Sequence, residues 1–302
     1  MNLIEIGDCR DTMRRWSAAG VRAQTCVTSP PYFGLRDYGH PGQLGLEATP
    51  EAYIAAMVDV FRCVRDVLAE DGTLWLNLGD SYGASKQLLG VPWRLALALQ
   101  GDGWCLRQDI IWHKPNVMPE AVTDRCTKSH EYLFLLTKSA QYFYDNDAIR
   151  EPCSEANVRD FLARKTLDNK GGGDGTYGEA RPDLCRSRDA YMPKDFMRNR
   201  RSVWTVNTKP FVGAHFATFP PALIEPCILA GTREGDTVLD PFMGSGTTAM
   251  VAKHNGRRYL GCELNPDYAV MQRDRVASPR ELLDYYPVVP SDSNPQFDLF
   301  AA

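Results

Sequence analysis

The sequence lacks any long apolar run. Its 302 residues are 44% hydrophobic and 24% charged, an ordinary globular composition. The longest apolar runs, such as residues 132–136, are far shorter than the roughly 18 residues of a membrane-spanning helix. The N-terminus also lacks the charged region, apolar stretch and small-residue cleavage site of a secretory signal. These absences exclude a membrane protein and predict a cytoplasmic one with no membrane partner.

Paired cysteines are also missing. The nine cysteines are an odd number, are scattered between positions 9 and 262, and include no CxxC pair. This pattern argues against a disulfide framework and against a zinc site. We therefore expect reduced thiols that pack as small apolar residues, and no bound metal.

The chain has no strong net charge, with 34 Lys and Arg against 38 Asp and Glu, and a formal charge of −4. The distribution is uneven, because residues 150–205 hold 12 basic and nine acidic side chains while the remainder carries a net charge of −7. Such asymmetry is typical of a surface that contacts a polyanion. A solvated surface insert is the alternative.

Strand-like and helix-like stretches alternate along most of the chain. The predicted strands span residues 3–6, 25–28, 73–78, 108–112, 131–136, 237–239 and 258–262. The predicted helices span residues 53–68, 92–99, 221–230 and 249–254. Alternating βα units predict a mostly parallel sheet covered by helices on both faces. Residues 145–206 break this rhythm and are predicted to be an insert, because they are basic and rich in loops.

A glycine-rich turn follows the predicted strand at residues 237–239. The turn reads DPFMGSGTT at residues 240–248, and Glu263 ends the next strand 23 positions after Asp240. In doubly wound folds, an acid about 20 residues beyond such a turn holds the ribose of a nucleotide. The turn has neither the lysine of a GxxxxGK loop nor the GxGxxG pattern, so nucleoside triphosphates and dinucleotides fit poorly. We predict an adenosine-type cofactor.

A second motif, TSPPY at residues 28–32, directly follows another short predicted strand. The two prolines remove two backbone donors and hold the chain extended, so we expect the neighbouring carbonyls to stay free to accept hydrogen bonds. Ser29 adds a side-chain acceptor, and Tyr32 adds a flat aromatic face. Acceptors beside a stacking surface suit a planar ring that bears an exocyclic amine. The alternative interpretation is a Pro-Pro turn that only ends the strand and has no role in binding.

Together, TSPPY, DPFMGSGTT and Glu263 resemble the motifs of DNA amino-methyltransferases that use S-adenosylmethionine. The catalytic motif precedes the cofactor motif, as in the beta-class permutation of that family. The resemblance implies a permuted, Rossmann-like methyltransferase fold of the α/β class. Its doubly wound sheet has seven mostly parallel strands, of which the last is antiparallel. It also implies a catalytic half at residues 1–144, a loop-rich target-recognition region at 145–206 and a cofactor-binding half at 207–302.

The resemblance further implies roles for single residues. Ser29 and the Pro30 carbonyl would hold the amino hydrogens of a base flipped out of the duplex, and Tyr32 would stack on that base. Asp8 would accept a hydrogen bond from the cofactor adenine, and Glu263 from its ribose hydroxyls. The implied catalytic residues are Ser29, Pro30, Pro31 and Tyr32. The implied cofactor-binding residues are Asp8, Cys9, His215, Thr218, Asp240, Pro241, Phe242, Gly244, Ser245, Gly246, Thr247, Thr248, Glu263 and Leu264.

Ser29 favours cytosine as the methylated base. In the family, Ser-Pro-Pro-Tyr accompanies mostly N4-cytosine methylation, whereas Asp or Asn in place of the serine is usual for N6-adenine. Since a hydroxyl can hold either amine, adenine remains the alternative. A methyltransferase acting on RNA or on a protein amide, and a non-catalytic DNA-binding module, also stay open.

The resemblance implies double-stranded DNA as a partner and S-adenosylhomocysteine as a product. It leaves open two further partners, a restriction endonuclease that acts on the same site and a second copy of the chain.

Overall fold

The computed structural model describes residues 1–159, 196–208 and 218–277. The chain divides into two compact units, one formed by Met1–Tyr144 with Ser202–Ala302 and the other by Asp145–Arg201. Residues 202–206, which we placed in the recognition region, thus belong to the first unit.

The described part of the chain contains ten strands, six complete α-helices and a helical stretch at residues 155–159. The strands are β1 (Leu3–Ile6), β2 (Ala23–Thr28), β3 (Leu68–Leu78), β4 (Cys105–His113), β5 (His130–Thr137), β6 (Glu151–Pro152), β7 (Met197–Arg198), β8 (Val203–Thr205), β9 (Thr237–Asp240) and β10 (Arg258–Glu263). The helices are α1 (Cys9–Ala18), α2 (Pro50–Val67), α3 (Val91–Gly101), α4 (Pro221–Gly231), α5 (Thr247–His254) and α6 (Tyr268–Ala277).

The first unit is built on an eight-stranded sheet with the order β1-β10-β9-β2-β3-β5-β4-β8. Neighbouring strands are parallel, except that β5 runs antiparallel to both β3 and β4. The predicted α/β sheet, mostly parallel and with one antiparallel strand, is confirmed.

The predicted count of seven strands is wrong by one. All seven predicted strands are present, but β8 adds an eighth by pairing in parallel with β4 at the edge of the sheet. In β8 only Trp204 is buried, while its two neighbours are exposed. Three residues are too few for this alternation to be recognised in the sequence.

The helices form two groups. Helices α1, α2 and α3 pack side by side, and their buried side chains form one core with residues such as Cys26, Leu76 and Leu239 of the sheet. Helices α4, α5 and α6 pack on one another and contact β2, β9 and β10. Alternate strand residues such as Val27 and Val238 are buried outside the first core, as expected of a sheet covered on both faces.

Local sequence explains where the helices begin. Helix α2 starts at Pro50, after Thr49, whose hydroxyl accepts a hydrogen bond from the Ala52 backbone at 3.2 Å. Helices α1 and α6 were not predicted.

In the part of the chain that the structure describes, no helix combines the length and the apolar character that crossing a membrane requires.

The second unit contains a short pair of antiparallel strands, β6 and β7. The Glu151 carboxylate on β6 accepts hydrogen bonds from Arg198 at 3.0 Å and from Arg201 at 2.8 Å. A single turn of 3₁₀ helix, Asp147–Ile149, precedes β6. The sequence KGGGDGT at residues 170–176, a pattern typical of a flexible loop, lies outside the described residues.

Candidate active site

Four neighbouring strands bring the two motifs to one edge of the sheet. Strands β1, β10, β9 and β2 are adjacent and parallel, so their carboxyl ends meet at the same edge. TSPPY continues from the end of β2, the glycine-rich turn continues from β9, and Glu263 ends β10. In open α/β sheets this edge is where ligands bind.

A cavity of about 610 Å³ lies at this edge, within the usual size of small-molecule sites. All four predicted catalytic residues line it. The predicted cofactor residues that line it are Asp8, Cys9, Thr218, Pro241, Phe242, Gly244, Ser245, Thr247, Glu263 and Leu264. Asp240, Gly246 and Thr248 are not among the lining residues, and His215 lies outside the described residues.

The glycine-rich turn depends on two left-handed glycines. Gly244 has φ +51° and Gly246 has φ +87°, a region that other residues rarely adopt. Helix α6 supports the turn, because the Gln272 amide donates to the Gly244 carbonyl at 2.6 Å and the Arg275 guanidinium donates to the Ser245 carbonyl at 2.8 Å. Sequence reasoning missed these two buried side chains, since α6 itself was not predicted.

Glu263 closes the turn from the neighbouring strand. One carboxylate oxygen accepts a hydrogen bond from the Gly244 backbone at 2.7 Å, and the other accepts from the Asn265 backbone at 2.8 Å. The side chain is only 9% exposed, and this burial raises its pKa to about 7. Each oxygen keeps a second lone pair, so Glu263 can still accept hydrogen bonds from a ligand in the cavity.

Asp8 and Cys9 line the cavity where α1 begins. The Asp8 carboxylate caps α1 by accepting from the Arg10 backbone at 2.7 Å, and it also pairs with the Arg10 guanidinium at 2.6 Å. These hydrogen bonds hold the pKa of Asp8 below its usual value, so it is an anionic acceptor at neutral pH. Burial raises the pKa of the Cys9 thiol to about 12, so Cys9 contributes a neutral surface.

Asp240 has a different place from the one we predicted. One of its oxygens accepts from the Thr28 hydroxyl at 2.7 Å and from the Phe242 backbone at 3.0 Å. The other accepts from the Thr248 hydroxyl at 2.6 Å, and the Asp240 side chain is 1% exposed. The structure thus places Asp240 and Thr248 behind the turn, where they join the cofactor motif to the first residue of TSPPY.

The TSPPY segment is fixed by its neighbours. The Tyr53 hydroxyl donates to the Pro31 carbonyl at 2.9 Å, so the prediction that the carbonyls beside both prolines stay free is wrong for Pro31. Within the described residues, no hydrogen bond to the Pro30 carbonyl is found. Ser29 is half-buried at the cavity wall, with its hydroxyl 3.4 Å from that of Tyr32.

The cavity residues that received no role from sequence reasoning include three polar ones beside Tyr32. Asn77 lies on β3, Lys114 directly follows β4, and Glu131 lies on β5, and all three line the cavity beside Tyr32. No local pattern in the sequence indicated that these three residues meet. Within the described residues, no cluster of three or more His, Cys, Asp or Glu could hold a metal ion.

The cofactor end of the cavity fits a nucleoside without phosphates. Its polar side chains include the carboxylates of Asp8 and Glu263, which accept hydrogen bonds from amines and hydroxyls but repel phosphate. These residues therefore fit an adenosine group that carries a positive sulfonium.

Comparison with known proteins decides the family. A model of a DNA methylase family matches residues 23–272. The chain belongs to this DNA methylase family. The methylase is therefore an enzyme related to the Type II DNA methyltransferases, a family that uses S-adenosylmethionine.

Individual relatives are similar in sequence to the methylase over nearly its whole length. The methylase is 45% identical to the Type II methyltransferase M.XycI of Xanthomonas campestris pv. cyanopsidis, covering 89% of this chain and 86% of that protein. It is 42% identical to the Type II methyltransferase M.SmaI of Serratia marcescens, covering 90% of each chain.

Solved structures share the fold of the methylase. The PvuII DNA methyltransferase, described as cytosine-N4-specific, has a TM-score of 0.64 at 18% identity, covering 95% of this chain and 92% of that one. A Thermus thermophilus protein solved with S-adenosyl-L-methionine has a TM-score of 0.58 at 25% identity, covering 92% of this chain and 93% of that one.

The Tyr32 ring leaves no room for a side chain at Gly79. A Cβ at Gly79 would lie 2.6 Å from Cε2 of Tyr32, so Gly79→Ala must displace the ring. Overpacking of this kind costs about 1–3 kcal/mol, and we expect methyl transfer by the methylase to slow about tenfold while cofactor affinity is unchanged. Single-turnover kinetics and calorimetry measure the two effects. Gly101→Ala, where a Cβ meets nothing within 4 Å, is the control, and equal rates for both variants would contradict the prediction.

Proposed function

We propose that the protein transfers the methyl group of S-adenosylmethionine to the N4 amine of a cytosine flipped out of duplex DNA. The observation that carries this proposal is the cavity that both TSPPY and the glycine-rich turn line. A cofactor held at one end and a base held at the other would then meet within one enclosure.

At the cofactor end, Glu263 accepts hydrogen bonds from the ribose hydroxyls and Asp8 accepts from the adenine amine. Pro241, Phe242 and Leu264 supply the apolar wall around them. Thr218 lies at the same cavity and, in the proposal, contacts the methionine part together with His215. The arrangement of the motifs corresponds to the beta class of the family.

At the base end, the Ser29 hydroxyl and the Pro30 carbonyl accept the two amino hydrogens, which aims the lone pair of the amine at the methyl group. When bound, the cofactor supplies an electrophilic methyl group on a sulfonium, so no covalent enzyme intermediate is needed. The protein holds the attacking amine in line with the methyl–sulfur bond of the cofactor. It also places hydrogen-bond acceptors where positive charge develops on nitrogen. Ser29, rather than Asp or Asn, favours cytosine over adenine.

Duplex DNA is the proposed substrate, and a base inside a duplex must be flipped to reach such a cavity. In the proposal, residues 145–206 contact the target sequence, because this region is the basic part of an otherwise acidic chain. The Type II relatives favour a restriction endonuclease of the same site as a functional partner in the bacterial cytoplasm.

The test is to identify the methylated nucleoside. Purified protein is incubated with S-adenosylmethionine and unmethylated mixed-sequence duplex DNA, which is then digested and analysed by mass spectrometry. We expect N4-methylcytosine from the wild type, and at least a roughly 100-fold lower yield from Ser29→Ala, because the variant loses an acceptor aimed at the reacting amine. Ser17→Ala, which removes a remote surface hydroxyl, is the matched control.

Each other product would revise a defined part of the proposal. N6-methyladenine would keep the cofactor site and overturn the role of Ser29 in base choice. A parallel reaction with RNA, if it gave the higher yield, would overturn duplex DNA as the substrate. Absence of any methylated base, with cofactor binding intact by calorimetry, would contradict methyl transfer to nucleic acid.

A further inference from the structure

Four polar side chains meet at the cavity wall next to TSPPY, and their common member is Glu131. One Glu131 oxygen accepts from the Tyr32 hydroxyl at 2.6 Å and from the Asn77 amide at 3.2 Å. The other oxygen is paired with the Lys114 ammonium. The Glu131 carboxylate thus accepts hydrogen bonds from three side chains, and each of them comes from a different part of the fold.

The ion pair between Glu131 and Lys114 is largely shielded from water. The two side chains are 15% and 16% exposed, and the Lys114 ammonium lies 4.2 Å from the ring centroid of Trp112. Shielding strengthens both the ion pair and the hydrogen bonds that the carboxylate accepts. An anion in this place is costly without its partner, so Lys114 is needed to keep Glu131 where it is.

Tyr32 has little freedom in this arrangement. Its hydroxyl is held by Glu131, and the edge of its ring lies where a Cβ at Gly79 would be only 2.6 Å away. Burial and the Glu131 carboxylate raise the pKa of Tyr32 well above its ordinary value, so the hydroxyl stays a donor. The ring is therefore fixed in place before any base enters the cavity, which reduces the entropy cost of stacking.

We propose that Glu131 is a positioning residue that orients the Tyr32 ring as the stacking surface for the target base, and that Lys114 holds Glu131 in this role. The inference rests on the proposed function, because it takes the cavity to receive a flipped base. Glu131 acts through Tyr32, so its contribution to the rate must depend on the Tyr32 hydroxyl.

A double-mutant cycle tests this dependence. The variants are Glu131→Gln, Tyr32→Phe and the double variant, assayed by single-turnover methyl transfer to mixed-sequence duplex DNA. Glu131→Gln keeps an acceptor oxygen but loses the ion pair, and we expect the rate to fall about tenfold, with a similar fall for Tyr32→Phe. In the Tyr32→Phe background, adding Glu131→Gln is expected to cost less than about twofold, because the coupled hydroxyl is already gone.

Three further measurements separate positioning from a general structural role. Glu131→Ala, which removes the acceptor entirely, is expected to be about tenfold slower than Glu131→Gln, so the conservative variant rescues part of the rate. Cofactor affinity by calorimetry is expected to show no coupling between Glu131 and Tyr32. Glu70→Gln removes a surface carboxylate whose partner is Lys138, and it is expected to leave the rate unchanged.

The outcomes are distinct. Rate effects that multiply in the double variant, or a loss of cofactor binding equal to the loss of rate, would overturn the positioning role while wild-type activity upholds the proposed function. A wild-type protein that transfers no methyl group to DNA overturns both proposals.

Discussion

Glu263→Gln is expected to lower the affinity of the protein for S-adenosylmethionine about 100-fold. Both Glu263 oxygens accept backbone hydrogen bonds, from Gly244 and from Asn265. A glutamine has one acceptor oxygen, so its NH₂ group must face one of these N–H donors. A buried donor left without an acceptor costs about 1–3 kcal/mol in the free protein too, so the loss of affinity comes from the neutral, weaker acceptor that faces the ribose and from the turn that the unpaired donor displaces.

The same residue makes wild-type cofactor affinity depend on pH. Because the folded-state pKa of Glu263 is about 7, the carboxyl loses its proton as the pH rises through neutrality. The ionised form accepts hydrogen bonds from ribose hydroxyls better than the protonated form does. Affinity should therefore rise between about pH 6 and pH 8, by at most about tenfold per unit, and level off above that range.

Calorimetry across this pH range checks both expectations. Glu263→Gln should give a flat profile, whereas Glu234→Gln, which changes an exposed carboxylate, should keep the wild-type profile. A pH dependence that persists in Glu263→Gln would mean that another group titrates. Stability of the cofactor-free protein should follow the opposite sign, because a raised carboxyl pKa favours the folded state at low pH and this advantage is lost as the pH rises through about 7.

Asp240→Asn is expected to reduce methyl transfer at least about 100-fold and to destabilise the protein by about 2–4 kcal/mol. The Asp240 carboxylate accepts from the hydroxyls of Thr28 and Thr248 and from the Phe242 backbone. An asparagine accepts through only one oxygen, so its NH₂ group must face the Thr248 hydroxyl, which then has to accept this hydrogen and turn its own toward the Val27 carbonyl, 3.4 Å away. The strong hydrogen bond from Thr248 to a carboxylate is therefore lost. Since Thr28 begins TSPPY and Thr248 ends the DPFMGSGTT motif, the loss also loosens one motif against the other.

Denaturant unfolding and single-turnover kinetics measure the two effects of Asp240→Asn. Thr28→Val and Thr248→Val each remove one donor, and each should cost less than the change at Asp240. Asp240→Asn with wild-type turnover would show that the bridge between the motifs is dispensable. A loss of turnover with unchanged stability would place Asp240 in contact with ligand, against the observed geometry.

The sequence was sufficient for features that depend on local pattern. The seven predicted strands and the helices at α2 to α5 follow from periodicity and turn residues, whereas the meeting of TSPPY with the glycine-rich turn was implied by the family resemblance. Helix α1 was missed, although Cys9, Thr12, Met13 and Trp16 are buried at helical spacing. This spacing in the sequence is itself typical of an amphipathic helix.

Other features depend on contacts between distant residues, and no local pattern reports them. Glu131 meets Tyr32 across 99 positions, and Thr28 meets Asp240 across 212. Motif reasoning predicted that Asp240 contacts the cofactor, because it belongs to the same turn as Gly244. Only the three-dimensional arrangement reveals that its oxygens are already occupied.

The placement of β2 has a consequence for synthesis of the chain. Strand β2 has β3 on one side and β9 on the other, and β9 begins at Thr237. A ribosome adding about 5–20 residues per second needs about 10–40 s to pass from β2 to β9. During that interval the nascent chain carries an open edge on a strand that is almost wholly buried in the finished fold, and such an edge pairs readily with other chains. Strand β1 stays without its partner for even longer, because that partner, β10, is synthesised after β9. Slow translation or a truncated message would therefore be expected to yield an aggregating fragment rather than a half-active enzyme.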